Sequence, residues 1–247
     1  ITSNLTVSNV LTIAASSGVL TDNAGGFNIT VSGSGTPFVN NGAAVTCSQF
    51  IYRNYTDLIT ITAAGGTYNV VTNLNISGGS FNSVTYQLNG NLVVNGGLYI
   101  AGDGFLRRSV LDTSASNYSV TANSLTIGIS GTQPGNFNTN GSSVTINGNV
   151  TLTASSGAII AGSSSWTVSG NWSTGGGYLF TAGTSTITFN GTGTQTLTSG
   201  SQSFYNLTHS GSGTLQLSTN NLTVTSNFTN SAGTFDVNDL TVTINGN

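Results

Sequence analysis

The hexapeptide Val144-Thr-Ile-Asn-Gly-Asn149 returns unchanged as Val242-Thr-Ile-Asn-Gly-Asn247, and looser copies occur at Leu88-Asn-Gly-Asn-Leu92, Val168-Ser-Gly-Asn-Trp172 and Val224-Thr-Ser-Asn-Phe228. One local structure is used several times, which restricts the chain to architectures that stack similar units. Around these corners apolar residues alternate with threonine, as in Leu5-Thr-Val7, Ile29-Thr-Val31, Ile187-Thr-Phe189 and Leu222-Thr-Val224. That is the pattern of strands with one buried and one wet face. No stretch has a helical period with caps, and the 34 glycines are scattered too densely for long helices. The class is all-β.

Asn-Gly between alternating hydrophobic residues is ordinarily a hairpin turn. Here the register opposes it. In a two-residue hairpin Ile146 would pair with Asn149 and Thr145 with Val150, so the apolar residues of the two arms would face opposite sides of the sheet. If the chain turns a corner and continues, Ile146 and Val150 both point inward and Asn149 stays outside. The same separation joins Leu88 to Leu92, Val168 to Trp172 and Val224 to Phe228. The anchors Val144, Trp166, Ile187, Leu207, Leu222 and Val242 recur roughly every 20 residues, the length of one solenoid coil. The sequence therefore predicts a parallel β-helix, or β-solenoid, with coils of about 20 residues. A β-sandwich of hairpins with three-residue loops is the alternative. The whole of 1–247 reads as one elongated unit, most regular over 140–247 and loosened by loop excursions, or by a separate lobe, over 37–115.

Charged residues make up 4% of the chain, where a soluble domain carries roughly a quarter. With Arg53, Arg107 and Arg108 as the only basic side chains besides His209, the chain lacks the clustered cations of a nucleic-acid binder. Disorder is excluded by the abundance of β-branched and aromatic residues. No apolar run is long enough to span a membrane as a helix. Cys47 has no intramolecular disulfide partner and reads as a small buried residue, or else an intersubunit bridge. A net charge of −3 gives little repulsion between copies, so association is easy.

The two ends continue each other's pattern. Writing Ile1-Thr-Ser-Asn-Leu-Thr-Val7 after Val242-Thr-Ile-Asn-Gly-Asn247 extends the repeat without a gap, and neither end shows a charged or proline-rich cap. The expected consequence is head-to-tail docking through Ile1, Leu5, Val7, Val242, Ile244 and Asn247, a heterologous contact that grows into a filament. The competing expectation is that these residues belong to a longer tandem repeat. The absence of a basic, apolar leader at Ile1 suggests a mature subunit or an excised piece.

The stretch Phe180-Thr-Ala-Gly-Thr-Ser-Thr-Ile-Thr-Phe-Asn-Gly-Thr-Gly-Thr-Gln-Thr-Leu197, followed by Phe204-Tyr-Asn-Leu-Thr208, resembles the Gly/Thr/Asn-rich repeats of large bacterial surface and adhesin-like proteins. The resemblance holds from Val144 to Asn247 and is poor over 37–115. It implies an extracellular β-solenoid serving as a stalk, fibre or adhesive surface, and it carries no catalytic residues.

Candidate chemistry is sparse. Asp103, Arg107, Arg108 and Asp112 form the densest charge cluster; two carboxylates could act on a glycan, but pairing of each aspartate with an arginine is the favoured reading. His209 occupies the position of Ile146, Val168, Phe189 and Val224 in sister repeats and reads as a buried or interfacial imidazole. Asp236 and Asp239 could hold calcium but read as a solvated turn. No metal or other cofactor is expected. Asn4, Asn28, Asn54, Asn75, Asn117, Asn149, Asn190 and Asn227 head glycosylation sequons. Trp172, Tyr178, Tyr99 and Tyr205 form either a sugar-stacking platform or part of the core. The expected function is a non-enzymatic structural protein of a microbial surface fibre, with copies of itself and surface glycans as partners. An adhesin or carbohydrate-binding stalk is the second expectation, and a polysaccharide-cleaving enzyme the third.

Overall fold

The computed structural model describes residues 108–113, 116–128, 135–153, 157–175 and 179–246. Before these it describes the backbone of strands between Leu5 and Ala101, with side chains at 5–7, 73–74, 76, 85–88 and 90–101. Among the described residues there is no helix, and all strand pairings are parallel. Successive turns supply strands to three ladders, which makes the fold a β-solenoid.

The first ladder runs from Leu5–Val7 through Asn28–Ser32, Gln49–Arg53 and Asn73–Ser77 to the later part of Val84–Ala101. It continues through the end of Val120–Ile127, then Val150–Leu152, Trp172–Thr174, Thr194–Thr198 and Thr214–Leu217, and finishes on Thr234–Asp236. The second ladder includes Ser109–Asp112, Gly135–Asn138, Ala158–Ile160 and Leu179–Thr181, and resumes as Ser203–Phe204, Leu222–Val224 and Val242–Ile244. The third stacks the start of Val120–Ile127 with Ser143–Ile146, Ser165–Val168, Thr186–Phe189, Asn206–His209 and Phe228–Asn230. On the third ladder Leu92, Val120, Val144, Trp166, Ile187, Leu207 and Phe228 follow one another, so the step shortens from 28 residues to 24, 22, 21 and 20 before returning to 21.

The corner argument holds in three dimensions. Ile146 and Val150 are buried while Asn147 and Asn149 are exposed, and the parallel pairing removes the hairpin sandwich. Turns stack so closely at this corner that only glycine fits. The Gly170 N–H donates to Gly148 O at 3.0 Å, and a Cβ on Gly170 would lie 2.4 Å from the Gly148 carbonyl carbon.

Inward residues from the three ladders meet in one continuous core. Each strand buries alternate residues, as in the buried Val144 and Ile146 flanking the half-exposed Thr145. In the middle turns the core becomes aromatic: Phe137 meets Trp166 at 5.8 Å, Trp166 meets Trp172 at 5.9 Å, and Trp172 meets Phe180 at 5.1 Å and Phe204 at 5.6 Å, all edge to face. Such contacts add about 0.5–1.5 kcal/mol each beyond area burial, so this stretch is the best-held part of the rod.

Candidate functional site

The last turn is built differently from those beneath it. Phe228–Asn230, Thr234–Asp236 and Val242–Ile244 each pair on one side only among the described residues. Their inward side chains, buried in every preceding turn of this region, lie half open: Phe228 and Phe235 pack on each other at 4.6 Å, and Leu240 and Val242 rest on the core from above. Ile244 is 44% exposed and Val237 40%. Unpaired parallel strand edges and a wet apolar end coincide, and one more turn of the same kind satisfies both.

Leu5 and Val7 sit at the other end of the first ladder, half-buried against the core with Thr6 exposed between them. The described residues expected to dock thus divide between the first strand of the first ladder, with Leu5 and Val7, and the last strand of the second, with Val242 and Ile244. Ile1 and Asn247 lie outside the described residues.

Along the outside, asparagine side chains link turn to turn. Asn73 Oδ1 accepts the Gly97 N–H at 2.7 Å, Asn91 that of Ser119 at 2.9 Å, and Asn117 that of Gly141 at 2.8 Å. The same device continues from Asn149 to Asn171 at 2.9 Å, Asn171 to Thr196 at 2.8 Å, Asn206 to Asn227 at 3.1 Å and Asn221 to Thr241 at 2.9 Å. At these positions the amide oxygen accepts an N–H that the backbone pairing beside the corner leaves over. Among the sequon asparagines, Asn117, Asn149, Asn190 and Asn227 are exposed. Asn190 Oδ1 accepts from Ser169 Oγ at 2.8 Å, and Asn227 Nδ2 donates to Asn206 Oδ1 at 3.3 Å. Asn4 and Asn54, and the side chains of Asn28 and Asn75, lie outside the described residues.

The other candidates separate. Asp103, Arg107, Cys47, Tyr178 and the Arg53 side chain lie outside the described residues. Arg108 is exposed. The Asp112 carboxylate accepts from Asn140 Nδ2 at 2.9 Å and Asn138 Nδ2 at 3.3 Å, both on the next turn. His209 is fully buried, with Nδ1 2.7 Å from Asn230 Oδ1 and Nε2 without a hydrogen-bond partner among the described residues. Trp172 corrects the sugar-platform expectation. It is fully buried, because its corner points it into the aromatic core, and so offers no face to a glycan. Tyr99 and Tyr205 are half-exposed.

Asp236 accepts from Gln216 Nε2 at 2.7 Å and from the Asn238 N–H at 2.9 Å. The Gln216 bond first, then the Asn238 bond, holds its carboxyl below the ordinary aspartate value of 3.8, and desolvation opposes them. Asn238 and Asp239 both have left-handed φ, 49° and 59°, which shapes a tight turn. Among the described residues no three His, Cys, Asp or Glu side chains gather as metal ligands, and no helix is long and apolar enough to cross a membrane.

Gln195 is a buried group that sequence reasoning overlooked. Its Nε2 donates to Val168 O at 3.0 Å and Gly170 O at 2.6 Å, and its Oε1 accepts the Gly191 N–H at 2.7 Å. The signal was present, since Gln195 shares the inward phase of Leu197.

No known family, curated protein or solved structure matches the chain.

Proposed function

We propose that this chain is a structural protein of a microbial surface fibre, a rigid β-solenoid whose copies join head to tail. The observation that carries the reading is the open last turn, where three unpaired strand edges surround the half-exposed Phe228, Phe235 and Val242. At the other end of the first ladder Leu5 and Val7 present the same alternation as the strands stacked within the molecule. Parallel strand addition at both positions gives a heterologous contact with no reason to close. The near-uncharged composition imposes little repulsion on such growth, and the outward threonines and asparagines keep the shaft wettable. An extracellular setting fits the repeat resemblance noted above.

Sedimentation and negative-stain microscopy of the purified chain test the proposal. Threads whose length grows with concentration are expected. Phe235→Arg, which places a charge on the docking end while leaving the turns below intact, should reduce them to short single rods. Isolated rods at every concentration, or threads indifferent to Phe235→Arg, would overturn end-to-end joining.

A further inference from the structure

The outer surface of the third ladder repeats one residue. Thr121 pairs with Thr145, Thr145 with Thr167, Thr167 with Thr188, Thr188 with Thr208 and Thr208 with Thr229, with no shift of register over that run. From Thr121 to Thr208 the residues on either side of each threonine are buried, so the threonines stand outward in a row. Adjacent rungs of a sheet are about 4.8 Å apart. Two positions earlier on the strands, Ser143, Ser165, Thr186 and Asn206 form a second row in the same register, displaced by about 6.7 Å. Neither row contains a charged residue.

The first ladder carries a shorter outward hydroxyl row, Thr126, Thr151, Ser173 and Thr198, broken by a serine, and elsewhere the outward positions are mixed. Outward positions of the first ladder pass from Thr196 to Gln216 and Asp236, and those of the second from Asp112 to Asn138, Ile160 and Thr181. Threonine is stiff at χ1, and each one from Thr121 to Thr208 lies between two paired rungs. The result is a rigid array with two defined repeats, hydroxyl and methyl groups along the threonine row and hydroxyls ending in the Asn206 amide along the other.

A partner for such a lattice must itself be periodic. A crystalline polysaccharide is a poor fit, since flat sugar faces are recognised by aromatic rings and neither row has one. A second copy of the chain is also a poor fit. Six rungs of a four-residue strand offer on the order of 300 Å² per partner, against about 800 Å² in a stable interface. Ordered water remains, because rows of oxygen atoms on the prism faces of hexagonal ice repeat close to the strand spacing. We propose that the third ladder is an ice-binding surface, with threonine hydroxyls hydrogen-bonding to lattice water and the methyls seated between water rows. The rigid array loses little conformational entropy on binding. This activity does not depend on end-to-end joining.

Growing single ice crystals in solutions of the whole chain tests the proposal, with recrystallisation in frozen solution as a second readout. Faceted crystals and slowed recrystallisation are expected. Thr167→Tyr, in the middle of the row, should weaken both by about tenfold or more, whereas Thr223→Tyr on the second ladder should not. Circular dichroism and the emission of the buried tryptophans report that each variant is folded. Thr145→Lys supplies an independent disruption if Thr167→Tyr fails to fold. Round crystals like those in buffer, activity that survives both Thr167→Tyr and Thr145→Lys, or binding to crystalline cellulose or chitin without any effect on ice would overturn it. Phe235→Arg should shorten the threads and leave ice shaping by single rods in place, which separates failure of this proposal from failure of fibre assembly.

Discussion

The ionisation of Asp236 is coupled to the fold. Its carboxyl is depressed by the Gln216 amide and the Asn238 N–H, so the folded form binds its proton less readily than the unfolded form. The stabilisation is fully present above the unfolded value, about 3.9, and is lost as pH falls through the lower folded value. An NMR titration of the Asp236 carboxyl should therefore show a midpoint below 3.8 that rises in Gln216→Ala, with acid exchange accelerating first in the last turn. At this scale the sequence was partly legible. His209 reads as buried from its place among Ile146, Val168 and Phe189, and it is buried, but its partner Asn230 is visible only once Asn206–His209 is laid against Phe228–Asn230. Trp172 reads two ways in the sequence because an aromatic residue just after a corner fits a core or a sugar platform. Only the rings of Trp166, Phe180 and Phe204 around it decide the matter.

Corners, rather than strands, are the elements that distinguish this rod from a stack of isolated ladders. The Asn171 oxygen accepts the Thr196 N–H one residue before the pairing of Leu197 with Trp172 begins on that side, and the Asn171 N–H in turn donates to Asn149. Asn171→Ala should lower stability by about 1 kcal/mol, mostly through the unsatisfied N–H it leaves, while Asn171→Asp, which retains an acceptor, should cost less. Amide exchange at Thr196 distinguishes this from general destabilisation, since it should quicken more than exchange at Thr151 on the same ladder. The corner geometry itself was legible, because the four-residue separation of Ile146 and Val150 is compatible with burial of both only if the chain turns and continues. The asparagine links were legible as composition and not as contacts. The residue that donates to each asparagine lies between 20 and 28 positions along the chain, and that offset drifts from turn to turn.

For the whole molecule, contacts between nearest turns dominate, so stability is a sum over interfaces that differs along the axis. The middle interfaces hold the edge-to-face aromatic cluster, and the last holds the half-open Phe228 and Phe235 pair with the half-buried Leu240 and Val242. Opening should therefore begin at the last turn and proceed inward. Hydrogen exchange should rank the Leu240 and Asn245 amides, whose acceptors are Val237 and Val224, well below Val150, whose acceptor Asn171 lies in the aromatic region. Trp172→Ala should cost about 3–5 kcal/mol by leaving a cavity lined by Trp166, Phe180, Phe189 and Phe204, and should split one unfolding transition into two by uncoupling the turns on either side. A second copy docked on the last turn gives that turn the neighbour it lacks. Protection at Leu240 and Asn245 should then rise with protein concentration while protection at Val150 stays constant, and a concentration-independent profile at all three amides would argue against the joining of copies.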